Sequence, residues 1–400
     1  MFSPGLRKLL FCTLLCAVLS QSRWAYGQQS AAAESVAGGP DSVAVLQLVA
    51  DLGADAFAVR QQATAALLRL DESALTALNQ ARTTATGETL ERLQQVLQRL
   101  THRWFQVRLQ RLQADASVSV ADWPDWPRFL QLTGEPPVSP QQQQRLQGLF
   151  IQLVQAEPEL FTARAFDPAA LSALLEVRAQ LFAESCDGRQ DRPFSAASGL
   201  ALMLLGSDSS VRLIRATSAC ISRAFEDPRF SELVTDGVHA SSVRGVASGW
   251  LLRAGISADR PLLFAIQHRL PAGRELAVRV LQSNARGPQL YYACMCLAVL
   301  DSRQDVGLLE SKFSSTSLIW PVRGIAAAAA GERPSGFQVQ LQDAALAAAV
   351  VLRGGHPTDV GIPAEDSAVM LFRMDSVGSV SAAEREQRQQ RYRATYPAQQ

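Results

Sequence analysis

Phe57-Ala-Val-Arg-Gln-Gln-Ala63-Thr-Ala-Ala-Leu-Leu-Arg-Leu70 is the stretch on which the fold reading turns. Val59, Ala63, Ala66, Leu67 and Leu70 recur at three- and four-residue steps, which lines one face of a helix with apolar groups. Asp55 stands just ahead of it as a candidate cap. Upstream, Asp41 offers a cap to a helix carrying Val45, Leu48, Val49 and Leu52, and Gly53 ends it. Downstream, a short helix is expected over 74–81. After a break at Gly87, Leu90, Leu93, Val96, Leu97 and Leu100 carry the same period toward Trp104 and Leu112.

The pattern resumes with Ser139 as cap and Pro140 in the first turn, ahead of Leu146, Leu149, Phe150, Leu153 and Val154. Asp167-Pro168 repeats that logic before Leu171, Leu174, Leu175, Leu181 and Phe182. From Pro193 to Leu352 apolar segments alternate with breaks at Gly206, Gly237, Gly255, Gly273, Gly287, Gly331 and Gly336. Segments such as 243–252, 290–300 and 325–330 are rich in Ala and Leu and do not alternate, so strand signals are almost absent. The expected fold is all-α, an irregular α-solenoid of stacked helical hairpins whose layers share one continuous core.

Between the two helical parts lies Asp122-Trp123-Pro124-Asp125-Trp126-Pro127-Arg128-Phe129, then Gly134-Glu-Pro136-Pro137. Prolines at this density stop helices. Trp123, Trp126 and Phe129 either plug the joint or form an exposed binding patch. The expected organisation is a signal peptide over 1–27, a disordered lead-in over 28–40, an N-terminal helical domain over 41–113, a Trp/Pro-rich joint over 114–138, a C-terminal helical repeat domain over 139–353, and a polar loop and tail over 354–400. In the tail, Gly354 to Asp359 reads as a turn and Ala382 to Arg393 as a solvated helix supported by Glu384 and Arg388.

The stretch from Phe57 to Leu70 resembles a HEAT-type repeat, and Gln340 to Leu352 and Arg274 to Leu281 echo it. With the Trp-Pro-Arg-Phe joint and the segment from Asp343 to Gly361, the chain resembles a group of secreted bacterial HEAT-like, armadillo-type helical proteins of unknown function. That resemblance implies fold and export, and no activity. Gln342 stands where the fuller pattern has an arginine before the aspartate.

Export has its own signal in the residues. Arg7 and Lys8 precede an apolar run from Leu9 to Leu19, and Ala25 and Gly27 occupy the −3 and −1 positions of a cleavage site. The run falls short of the roughly 18 apolar residues a membrane span needs, and no later run reaches that length. In an oxidising compartment Cys186, Cys220, Cys294 and Cys296 are candidate disulfide partners. Cys294 and Cys296 point to different sides of a helix and do not pair. The two readings are a Cys186 to Cys220 bridge or four buried thiols.

Composition excludes several chemistries. The chain has 38 basic and 37 acidic residues among 400, with 48% hydrophobic, and without residues 1–27 the balance is 35 to 37. It lacks the basic field that non-specific nucleic-acid binding requires. The only lysines are Lys8 and Lys312, and neither follows a glycine, so a P-loop is excluded. Gly245-Val-Ala-Ser248-Gly249 places its serine one position too late for a nucleophile elbow and reads as a small-residue helix face. His102, His239, His268 and His356 lack ligand spacing. The one suggestive cluster is His356 and Asp359 with Glu365 and Asp366, which reads as a polar loop. No catalytic, cofactor or metal residue is assigned. The expected role is a non-catalytic interaction or scaffold protein of the cell envelope or secreted fraction, with another protein or an envelope polymer as partner. The alternative is an envelope-associated hydrolase whose carboxylates or serines come from distant segments. A deep polar pocket with perturbed carboxylates would mark the enzyme, and a shallow groove the binding protein.

Overall fold

A computed structural model describes residues 42–114, 123–134, 139–189, 194–253, 258–320 and 337–397. The expected signal peptide, lead-in and Asp41 cap lie outside the described residues, as do Pro136, Pro137, the breaks at Gly255, Gly331 and Gly336, and the segment 325–330. The all-α class holds: 18 helices stand among the described residues against one two-stranded ladder. No described helix is long and apolar enough to cross a membrane.

The chain divides into two compact units at Ala85. In the first, α1 (Ser42–Asp51), α2 (Phe57–Leu67) and α3 (Leu75–Thr84) bury Val45, Val49, Leu52, Ala63, Leu67, Leu78 and Ala81. Asp55 is not the cap of α2. Ala56 occupies that place, and the Asp55 carbonyl instead accepts from Arg60 at 2.6 Å, beside the Ala54 carbonyl at 2.8 Å.

The second unit opens with α4 (Gly87–Ala114), 28 residues that take in the periodic face expected from Leu90 to Leu112 and start at the glycine expected as a break. Next come α5 (Trp126–Thr133), α6 (Pro140–Ala156), α7 (Pro158–Phe166) and α8 (Leu171–Cys186). Ser139 caps α6 as expected, its Oγ accepting from the Gln142 amide at 3.2 Å. Asp167 does not cap α8, which begins after a turn with Ala170 at its start. Trp123, Trp126 and Phe129 are buried, at 5%, 5% and 0% exposure. They join Phe105 of α4, Phe150 of α6 and Phe161 of α7 in one aromatic cluster centred on Phe150.

Then follow α9 (Ala196–Gly206), α10 (Arg215–Ile221), α11 (Pro228–Thr235), α12 (Ala240–Leu252), α13 (Asp259–His268), α14 (Ala272–Gln282), α15 (Pro288–Val299), α16 (Val306–Glu310), α17 (Leu341–Leu352) and α18 (Ala382–Thr395). Helices α9, α15 and α17 are apolar on nearly every side and sit in the core, as a helix without a polar face must. Helices α8, α13, α15 and α17 end alike. A residue with positive φ (Gly188, Arg269, Asp301, Gly354) is followed by an amide that reaches back five residues, each at 3.0 Å: Arg189 to Glu184, Leu270 to Ala265, Ser302 to Leu297, and Gly355 to Val350.

Gly206 and Gly273 stand at helix ends beside the expected breaks, as the last residue of α9 and the second of α14. Both also permit close packing: a Cβ at Gly206 would come within 2.9 Å of Trp250, and one at Gly273 within 2.6 Å of the Ala265 Cβ. Strands are almost absent, as expected: among the described residues the only strand pair is Leu318–Trp320, antiparallel to Val339–Gln340, in runs too short to show alternation. The tail helix α18 is solvated on one side only. Arg385, Arg388, Gln389 and Tyr392 are buried, and Arg385 Nε lies 3.0 and 3.1 Å from the two carboxylate oxygens of Asp343 on α17. The Glu384 to Arg388 pair exists at 2.6 Å, on the docked side of the helix. All four cysteines are free. Cys294 and Cys296 are buried, which pushes each thiol up to about 12, while Cys186 and Cys220 are only half-buried.

Candidate functional site

Helices α5, α6 and α12 surround an open cleft of about 590 Å³, lined by Thr133, Ser139, Gln142, Arg145, His239 and Ser242 among others. Its placement follows from a close helix contact. The small face of α12, with Ser241, Ser242, Gly245, Ser248 and Gly249, lies against the last turn of α5. A Cβ on Gly245 would fall 2.9 Å from Thr133 Cα and 3.0 Å from the Leu132 carbonyl carbon. The sequence reading of Gly245 to Gly249 as a packing face, with half-buried Ser248 in mid-helix, is the observed one. The close approach brings Thr133 and the left-handed Gly134 (φ +91) opposite the start of α12.

Helix α12 begins at Ala240 behind His239, which gives no side-chain cap. The amides and hydroxyls of Ser241 and Ser242 have no partner among the described residues. Arg145, one turn into α6, is exposed and likewise makes no ion pair there. Burial, and then the charge of Arg145, hold the half-buried His239 below the usual histidine range, so its ring is neutral near pH 7. Among the described residues the lining contains a cation, an imidazole, hydroxyls and amides, and no carboxylate. That set recognises polar or anionic groups and contains no nucleophile paired with a base.

Perturbed carboxylates lie elsewhere, in ion pairs that join helices. Asp125, 2% exposed, accepts from Arg164 Nε at 3.0 Å through Oδ1, while its buried Oδ2 has no hydrogen-bond partner. Arg164 also binds Asp208, and Arg128 reaches Ser207 Oγ at 3.1 Å. Burial raises Asp125 to about 6, against the opposing pull of Arg164. Glu157, fully buried, takes Arg178 at 2.8 and 3.2 Å, and burial raises it too.

A carboxyl whose folded pKa lies above its unfolded value takes up its proton on folding, so Asp125 adds stability as pH falls from above 6 toward 4. Relative to Asp125→Asn, the wild-type chain should gain on the order of 2–3 kcal/mol over that window. Urea denaturation at several pH values checks this. Parallel pH profiles for the two chains would show that Asp125 does not titrate there.

The remaining sequence candidates do not converge. Asp359 Oδ2 accepts from the His356 amide at 2.8 Å, and His356 Nδ1 faces Thr358 Oγ1 at 2.7 Å, a local cap on a short 3-10 turn. Glu365 pairs with Arg373 at 3.1 Å, and Asp366 bridges to Phe372 through the backbone. Among the described residues no group of three or more His, Cys, Asp or Glu side chains is placed to hold a metal. Sequence reasoning missed Arg145, His239, Ser241 and Ser242 as a set, because nothing in the text links residues 139–146 to residues 238–242. Comparison with known protein families, with curated proteins and with solved structures finds no match to this chain.

Proposed function

We propose that this chain is an exported, non-catalytic binding protein, a HEAT-like α-solenoid that presents the α5/α6/α12 cleft to another protein or to an envelope polymer. The observation that carries this is the separation of cleft from perturbed acid: among the described residues the open cleft is lined by no carboxylate, while Asp125 and Glu157 are tied up in buried ion pairs. The Arg7-Lys8 start, the apolar run and Ala25 and Gly27 support export. Mass spectrometry of the native protein should find a terminus near Gln28, and an intact Met1 would defeat the export reading. A partner captured from envelope extract by the wild-type chain should be lost when Ser242→Glu places a carboxylate in the cleft.

A hydrolase is the second reading, and one contact favours it. Ser231 Oγ lies 3.1 Å from His268 Nε2, beside an open acidic cleft of about 560 Å³ that includes Glu226, Asp227, Glu232 and Asp236. Burial and Arg244 keep His268 below the usual histidine range, as a base requires. Its other nitrogen faces the Thr235 hydroxyl at 3.5 Å instead of a carboxylate, and the Ser231 amide is spent on the Asp227 carbonyl at 3.1 Å, so neither an orienting acid nor an oxyanion donor is in place at the serine. Ester hydrolysis by the purified chain that disappears in Ser231→Ala would replace the binding reading.

A further inference from the structure

We propose that α18 is a detachable strap: it fills, as an internal ligand, a groove of its own unit that takes an arginine-bearing helix of a partner once the strap has left. The partner comes from the reading of this chain as a binding protein, while the strap stands on contacts of its own. Those contacts all run one way. Arg385 donates to both carboxylate oxygens of Asp343 and to the Gln338 carbonyl at 2.9 Å, and Arg388 to the Gly378 carbonyl at 2.9 Å and Ser379 Oγ at 2.6 Å. Gln389 Nε2 donates to the Phe313 carbonyl at 2.6 Å and to Gln342 Oε1 at 3.1 Å, and the Tyr392 hydroxyl to Glu310 at 2.7 Å. In each of these bonds the helix brings the donor and the groove the acceptor, and two of the acceptors are carboxylates. A groove so built selects guanidinium, amide and hydroxyl donors at i, i+3, i+4 and i+7 of one helix, and an acidic or apolar segment leaves its buried acceptors unpaired.

The same contacts let the helix leave. Of its 14 residues only Tyr392 buries a large apolar side chain, against Phe313 at a ring distance of 5.2 Å, and the other buried ones are Arg385, Arg388 and Gln389. A buried ion pair such as Arg385 with Asp343 returns little more than the cost of drying its charges. Arg388 Nε is buried without a hydrogen-bond partner, a penalty that opening relieves. Among the described residues no backbone hydrogen bond ties 380–396 to the rest of the chain, and the last such tie is Ser379 with Gln338, 3.0 Å in each direction. Helix α18 also carries its own start. Ser381 Oγ accepts from the Glu384 amide at 3.2 Å, and Glu384 Oε2 accepts from the Val380 amide at 2.9 Å. It can therefore swing out about Val380 and Ser381 as one piece, with Asp343, Gln342 and Glu310 laid open behind it.

Hydrogen exchange on the full chain tests the strap, and a synthetic peptide of residues 380–397 tests the groove. Amides of α18 should exchange at least about tenfold faster than those of α17, through an opening that leaves α17 protected. In Arg385→Ala that ratio should grow while α17 stays as slow as in wild type. The peptide should bind the Arg385→Ala chain saturably and the wild-type chain at least about tenfold more weakly, because there the attached strap competes for the groove. A peptide carrying Arg385→Ala itself should bind neither. Exchange of α18 and α17 at one rate, or loss of α17 protection in the Arg385→Ala chain, makes α18 a fixed part of the core and overturns the strap. A loosened strap with no saturable binding of the peptide, or equal binding of both peptides, overturns the groove. None of these readouts involves the α5/α6/α12 cleft, so the strap can fail while the cleft reading stands, and the reverse.

Discussion

With Trp123 and Trp126 both replaced by alanine, the second unit is expected to lose about 3–5 kcal/mol for each indole removed. That loss is comparable to the whole stability of an ordinary domain, roughly 5–15 kcal/mol, so the double variant should sit at the edge of unfolding. The indoles are nearly inaccessible, and they meet Phe105, Phe129 and Phe150 at ring distances of 5.4 to 6.1 Å. Edge-to-face pairs of this kind add about 0.5–1.5 kcal/mol beyond the area they bury. Each truncation also leaves a void among rings that are held from several helices and cannot collapse together. Guanidinium unfolding of the single and double variants measures the effect. Unchanged midpoints together with a lost partner would make the tryptophans an interaction patch instead.

Gly245→Leu should be as damaging by the opposite route. Overpacking usually costs about 1–3 kcal/mol because a neighbouring side chain moves aside. At Gly245 the neighbours are the backbone atoms of Leu132 and Thr133, which cannot rotate away, so a loss of several kcal/mol or of soluble protein is expected. Gly249 meets the Leu132 side chain, and Gly249→Ala should be milder. Gly148, in mid-α6, has nothing within 4 Å of an added Cβ, and Gly148→Ala should stabilise by about 0.5–1 kcal/mol. Thermal unfolding of the three variants should rank them in that order. A Gly245 variant as stable as wild type would show that α5 and α12 do not touch through their backbones.

Much of the helical content was legible because burial imposes a period on the text. Leu93, Val96, Leu97 and Leu100 in α4 read as a face and are one, and the Ser139-Pro140 start of α6 carries its own chemistry. Capping by aspartate was less legible. Asp55 and Asp167 have the right residue type, yet their helices start two and four residues later, where local turns set the backbone. Gly206 and Gly273 show why a glycine is ambiguous in one dimension: the same absence of a side chain ends one helix and lets two others approach. The tail misled for a related reason. A helix full of arginine and glutamine looks solvated until Asp343, some forty residues earlier, is seen beside Arg385. The cleft is the extreme case, since its two sides lie about a hundred residues apart and no single segment carries its signature.

The contact of Gly245 with the backbone of α5 also bears on how a ligand would be received. Side-chain contacts between helices allow sliding by small rotamer changes, whereas a main-chain contact fixes both rise and rotation. Thr133 and Gly134 on one wall, and His239 to Ser242 on the other, are therefore held at a set separation before anything binds. Such a pocket is preorganised: association spends little entropy on ordering its walls, and discrimination among ligands comes from size and donor placement, with little room for adaptation. Substitutions that loosen the helix contact would then broaden what the cleft accepts before they unfold the chain.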